Sequence, residues 1–108
     1  MTVLDYEDYG WFLLSKEERL FLDVNCNHSF VGYSFLIELD EAEVRQYRQE
    51  GRDFIVRLAD RVQHSGPGVR GSKSEFKNRG VENVYGKEVV AAIQKYRASK
   101  WVYDSVYA

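Results

Sequence analysis

The chain has 108 residues, 44% apolar and 30% charged, and its 15 Lys and Arg against 17 Asp and Glu leave a formal net charge of −2. That length suits a single domain spanning 1–108, and an aromatic share of 15% excludes disorder of the whole chain. The balance is too near neutral for net charge alone to argue for a polyanion or a polycation as partner.

The distribution of charge says more than its sum. Residues 1–50 hold 11 acids and 4 bases, and residues 51–108 hold 6 acids and 11 bases, which predicts a dipolar surface unless folding interleaves the halves. Cys26 is the single cysteine, so no internal disulfide is available and a reducing compartment fits. The start, Met1-Thr2-Val3-Leu4-Asp5, lacks a basic segment followed by an apolar stretch, and no apolar run approaches the roughly 20 residues of a membrane span. A cytoplasmic protein is the expectation. Asn27-His28-Ser29 matches the N-glycosylation pattern, which without a route to secretion is read as an accident.

In chain order, a bulky run from about Tyr9 to Leu14 is followed by the polar connection Ser15-Lys16-Glu17-Glu18. Arg19 to Asn25 alternates with the two-residue period of a strand, Leu20, Leu22, Val24 and Cys26 on one side and Phe21 and Asp23 on the other. Asn25-Cys26-Asn27-His28 reads as a tight turn. Ser29 to Leu39 then places Val31, Tyr33, Phe35, Ile37 and Leu39 on one face, with Phe30, Gly32, Ser34 and Leu36 on the other. Three sequential strands with short connections make an antiparallel meander.

Asp40 and Glu43 have capping-box spacing ahead of a helical stripe formed by Val44, Tyr47, Gly51, Phe54, Ile55, Leu58 and Val62. Gly51 on that stripe means either a close approach to the sheet or a break into two pieces, and one continuous helix is expected. Arg45, Arg48, Arg52, Arg57 and Arg61 border the stripe, where arginine stems cover apolar surface. A long loop is predicted over 65–86, its first sixteen residues holding four bases, four glycines and the lone proline. A last helix follows from Lys87 to about Tyr103, with Val89, Ala92, Ile93, Tyr96 and Tyr103 on one side and Trp101 off it. The expected fold is α+β: a three-stranded antiparallel meander, an amphipathic helix, a long Gly-rich basic loop, and a C-terminal helix packed on the sheet.

Gly66-Pro67-Gly68-Val69-Arg70-Gly71 spells the dinucleotide pattern without the strand and helix that give it meaning, and Pro67 removes a backbone donor. No cofactor is inferred from it. What survives is a Gly-rich turn near Arg70, Lys73, Lys77 and Arg79 that could take a phosphate or carboxylate, the alternative being a solvated loop. Cys26, His28, His64 and Asp23 lack the paired spacing of a metal site, and Cys26 is better explained as a small buried residue continuing its strand. At the front, Asp5, Glu7 and Asp8 interleave with Tyr6 and Tyr9 before Trp11, a composition suited to protein recognition or, equally, to a polar lead-in whose rings pack on the body. Phe21, Phe30 and Leu36 fall on the outer sheet face, an exposed apolar patch unless the C-terminal helix or the long loop covers it.

These features rank three functions. The first is a protein-binding module acting through Asp5, Tyr6, Glu7, Asp8, Tyr9, Trp11, Phe21 and Phe30 on another protein, basic in character, or on a second copy of itself. In its size, cysteine poverty and lack of a catalytic motif the chain resembles, as a class, the small acidic bacterial immunity and antitoxin proteins, though no motif ties it to a family. The second is nucleic-acid binding by Arg70, Lys73, Lys77 and Arg79 with Phe76 stacking on a base. The third is a small enzyme using the long loop with His28 and His64, for which spacing assigns no reaction class.

Overall fold

The computed structural model describes the backbone of residues 1–28 and 31–107 and the side chains of residues 1–26 and 32–99. The fold is α+β with four antiparallel strands, not three, in the order β1-β2-β3-β4: β1 (Thr2–Glu7), β2 (Trp11–Lys16), β3 (Arg19–His28) and β4 (Val31–Glu38). The added strand is the acidic, aromatic front. Its residues pair with β2 through Tyr6↔Phe12 and Glu7↔Trp11, with an irregularity between Val3 and Asp5. Charges alternate along it because it is an edge strand with one side in solvent, which hides it from a hydrophobic-period reading.

The expected turn at Asn25–His28 is instead strand, pairing Asn25↔Ser34, Cys26↔Tyr33, Asn27↔Gly32 and His28↔Val31. Alternation that runs on through Cys26 outweighs the turn preference of asparagine. The expected parity holds: Leu22, Val24 and Cys26 with Phe35 and Ile37 make one buried face, completed by Trp11, Leu13 and Leu39.

That face is covered by α1 (Glu41–Glu50) and α2 (Arg52–Ser65). Asp40 and Glu43 form the capping box, the Glu43 amide donating to Asp40 Oδ1 at 2.8 Å and the Asp40 amide to Glu43 Oε1 at 2.9 Å. The single expected helix is two. Gly51 has φ 68° and ψ −142°, a conformation that costs a side chain dearly, and its amide closes α1 on the Tyr47 carbonyl at 2.7 Å. The stripe survives the break, because Val44 and Tyr47 pack beside Phe54, Ile55, Leu58 and Val62 in one core.

The connection predicted over 65–86 shrinks to 66–81 and is anchored rather than free. Phe76 sits in the core at 1% exposure, and the Val81 amide donates to the Leu36 carbonyl at 2.9 Å. The Gly68 amide donates to Tyr33 Oη at 3.0 Å, and a Cβ on Gly68 would come within 2.5 Å of the Tyr33 ring, so the approach needs glycine. Arg79 donates to both oxygens of buried Glu43, at 2.6 and 3.0 Å, and to the Glu38 carbonyl at 2.9 Å.

The last helix, α3 (Glu82–Tyr107), begins five residues before the expected Lys87 because Glu82 reaches β4, its Oε1 accepting from the Leu36 amide at 2.7 Å. It covers the other face of the sheet, burying Leu14, Phe21 and Leu36 against Val89 and Ile93. The result is three layers, α1 and α2 on one side and α3 on the other. The side chains of Trp101 and Tyr103 lie outside the described residues.

Candidate functional site

The exposed apolar patch expected on the outer face does not exist for Phe21, at 0% exposure, or Leu36, at 1%. Burial under α3 is the stronger outcome for two large side chains that would each cost about 2 kcal/mol left in water. Phe30 lies outside the described residues. Trp11 is also in the core, at 3% exposure, its indole N–H donating to Glu7 Oε2 at 3.0 Å.

The other front residues divide. Asp5 is paired with Arg52 at 2.6 Å, and that guanidinium lies over the Trp11 ring at 4.9 Å. Tyr6 stacks on Phe12, centroids 5.6 Å apart, and meets Tyr96 edge-on at 5.5 Å. These are packing roles. Glu7 is exposed at the end of β1, and Asp8 and Tyr9 are exposed in the turn between β1 and β2, Tyr9 at 94%. Tyr9 has φ 61°, a left-handed conformation uncommon for a bulky residue. The turn is held in that shape from β3: Asn25 Nδ2 donates to the Tyr9 carbonyl at 2.9 Å and the Asn25 amide to the Gly10 carbonyl at 2.8 Å.

Beside this turn, between the outer sheet face and α3, lies a pocket of about 690 Å³. Its sheet side carries Phe12, Asp23, Asn25 and Ser34, its helix side Val90, Ile93, Gln94 and Arg97, and Asp8 to Trp11 border it. Strand register explains the placement: Asp23 is paired with Phe12 on one side and Leu36 on the other, and Asn25 with Ser34. Asp23 makes no hydrogen bond or ion pair among the described residues. Burial pushes its carboxyl up to about 6, and the nearby charge of Glu82 adds to that. The guanidinium of Arg97 rests over the Phe12 ring at 5.3 Å instead of on this carboxylate. Sequence reasoning weighed Asp23 only as a metal ligand and missed Ser34, Gln94 and Arg97. The available signal was a lone acid on a strand face between Phe21 and Asn25, which means something only once a helix is known to cover that face.

No protein-family model, curated protein or solved structure matches the chain. Function therefore has to be argued from the geometry. On the basic side, Arg70, Lys73 and Lys77 are exposed, but Phe76 is in the core with the guanidinium groups of Arg61 and Arg79 over its ring at 5.5 and 5.6 Å, and Arg79 is spent on Glu43. The loop as it stands offers charges without a stacking ring. Cys26 is fully buried and its thiol is pushed up to about 11, chiefly by burial, which leaves it protonated at neutral pH.

His64, at the exposed end of α2, faces its own helix, Nδ1 lying 2.9 Å from the Asp60 carbonyl and 3.1 Å from Asp60 Oδ1. The His28 side chain is outside the described residues. Among the described residues no group of three or more His, Cys, Asp or Glu is placed to hold a metal, no helix is long and apolar enough to cross a membrane, and no hydrogen bond joins Ser34 to a base. The pocket's chemistry is that of one desolvated carboxylate among amides, a hydroxyl and rings.

Proposed function

We propose that the protein is a protein-binding module whose contact end is the β1–β2 turn together with the pocket beside it, and that its partner presents a basic surface. The observation that carries this reading is Tyr9, held 94% exposed in a left-handed turn at the border of a pocket whose Asp23 carboxylate has no partner among the described residues. A bulky ring in that conformation costs about 1–2 kcal/mol, which asparagine or glycine would spare. Strain of this kind with no packing return points to a role outside the fold. Exposed tyrosine supplies rigid contact area, and Glu7 and Asp8 around it attract basic partners. Occlusion of a basic active site, the use to which immunity proteins put such a surface, is one function it would serve.

The test is capture of the partner from native lysate by the tagged protein, with nuclease present, comparing wild type with Tyr9→Ala and Asp8→Lys. A stoichiometric basic protein retained by wild type and lost by both variants supports the reading. Capture that both variants retain removes this end of the molecule from the interface, and capture that vanishes with nuclease moves the assignment to Arg70, Lys73 and Lys77.

A further inference from the structure

The protein-binding reading leaves open what enters the pocket. We infer that it receives an arginine side chain presented by the partner, with Asp23 as the counter-ion at its sheet side. The inference rests on that reading and adds the chemistry of the residue recognised.

Three features of the pocket fit a guanidinium on an aliphatic stem. The Asp23 carboxylate has no partner among the described residues, which is costly where water is scarce, and a planar donor array answers it with two parallel hydrogen bonds. Ser34 and the side-chain amides of Asn25 and Gln94 offer further acceptors around the same space. Val90 and Ile93 on α3 give the stem apolar surface, and Val90 is itself more than half exposed.

The charge around the pocket points the same way. Asp8 from the turn and Asp23 from β3 line the pocket against a single lining cation among the described residues, Arg97, and Glu82 from α3 adds negative charge that acts on Asp23. Arginine is favoured over lysine because it is planar, more weakly hydrated, and stays charged at every accessible pH.

The experiment follows backbone amides and the Asp23 carboxyl carbon by NMR in the full chain during titration with N-acetyl-Gly-Arg-Gly-amide. The control is the citrulline peptide, the same shape without the charge. Saturable shifts centred on Asp23, Asn25 and Ser34 are expected, with citrulline and the Asp23→Asn variant each at least about tenfold weaker. Because the ionised carboxylate is the binding form, affinity should rise about tenfold between about pH 5 and about pH 7. A second variant, Gln94→Trp, narrows the pocket from the helix side and should weaken binding at least about tenfold.

Equal binding of citrulline, full affinity in Asp23→Asn or Gln94→Trp, or no saturable shift at concentrations into the tens of millimolar would overturn the inference. Its failure is separable from that of the broader reading. If Tyr9→Ala and Asp8→Lys lose the captured partner while Asp23→Asn keeps it, the protein-binding role stands and the arginine assignment falls. If neither turn variant affects capture, the role falls, and the peptide titration still decides the pocket.

Discussion

The two faces of the sheet are packed differently. Under α1 and α2, Leu22, Ile37, Ile55, Leu58 and Val62 are fully buried, Phe76 closes the layer, and the one buried acid, Glu43, is satisfied by Arg79. Under α3 the buried set among the described residues is Leu14, Phe21, Leu36, Val89 and Ile93, and a carboxylate with no partner among those residues shares the face with them. The helices sit differently: the backbone of α2 comes closest to the central strand β3, whereas among the described residues the backbone of α3 comes closest to the two edge strands, β1 and β4, and only its side chains reach Leu14 and Phe21 between them. The pocket opens over Phe12 and Asp23, on the central pair that α3 straddles. A helix resting on the edges of a twisted sheet leaves room between, and that room holds the polar group with no structural use.

Truncation in each layer measures this difference most directly. Leu58→Ala should cost about 3–5 kcal/mol, because a fully enclosed site keeps its cavity, and Ile93→Ala about 2–3 kcal/mol, because a helix resting on two strands can settle. Urea denaturation of both variants checks it, and equal losses would break the contrast.

The next effect belongs to Asp23 alone. Its folded pKa of about 6 lies above the ordinary value of 3.8, so its contribution to stability is fully present below the lower value and is lost as pH rises through the higher one. The loss amounts to about 3 kcal/mol, and Asp23→Asn should remove that slope and be the more stable protein at neutral pH. Thermal melts across about pH 4–7 compare the two, and parallel curves would mean that Asp23 keeps its water and that burial does not raise its carboxyl.

Glu43→Gln keeps an N3 side chain able to reach the Asp40 amide yet leaves Arg79 without its carboxylate. A cost of about 2 kcal/mol is expected, below that of a fully enclosed pair since Arg79 keeps some water contact. A smaller loss would show that Phe76 and the Val81 and Gly68 amide bonds, rather than the Arg79 pair, anchor the loop 66–81. The smallest effect has the opposite sign: Tyr9→Gly should stabilise the fold by about 1 kcal/mol by relieving the left-handed tyrosine while losing the captured partner. If Tyr9→Gly lowers stability, the ring contributes to the fold and its exposure is no guide to binding.

Much of the fold was legible because periodicity is a local property. The inner-face alternation of β3 and β4, the capping box at Asp40 and Glu43, and the α1–α2 stripe could all be read from residue order, since a two-residue or 3.6-residue period shows which side chains share a face. β1 was hidden by the charges of an edge strand, and the Gly51 break by a stripe that continues across it. The candidate site was less legible. Asp8 and Tyr9 were named with six neighbours, of which Trp11 and Phe21 are core, Asp5 and Tyr6 are tied into contacts of the fold, Glu7 is the exposed acceptor of the Trp11 indole, and Phe30 lies outside the described residues.

Residue order by itself determined the α+β class, the meander, the inner core and the capping of α1, each carried by groups close along the chain. The tertiary structure alone decided that α3 covers the outer face, that Phe76 and Arg79 belong to the interior, and that Asp23 borders a pocket. Those outcomes join Asp23 on β3 to Gln94 and Arg97 on α3, about seventy residues along the chain. Which face a distant helix covers depends on the area it can bury there, and no local pattern carries that quantity.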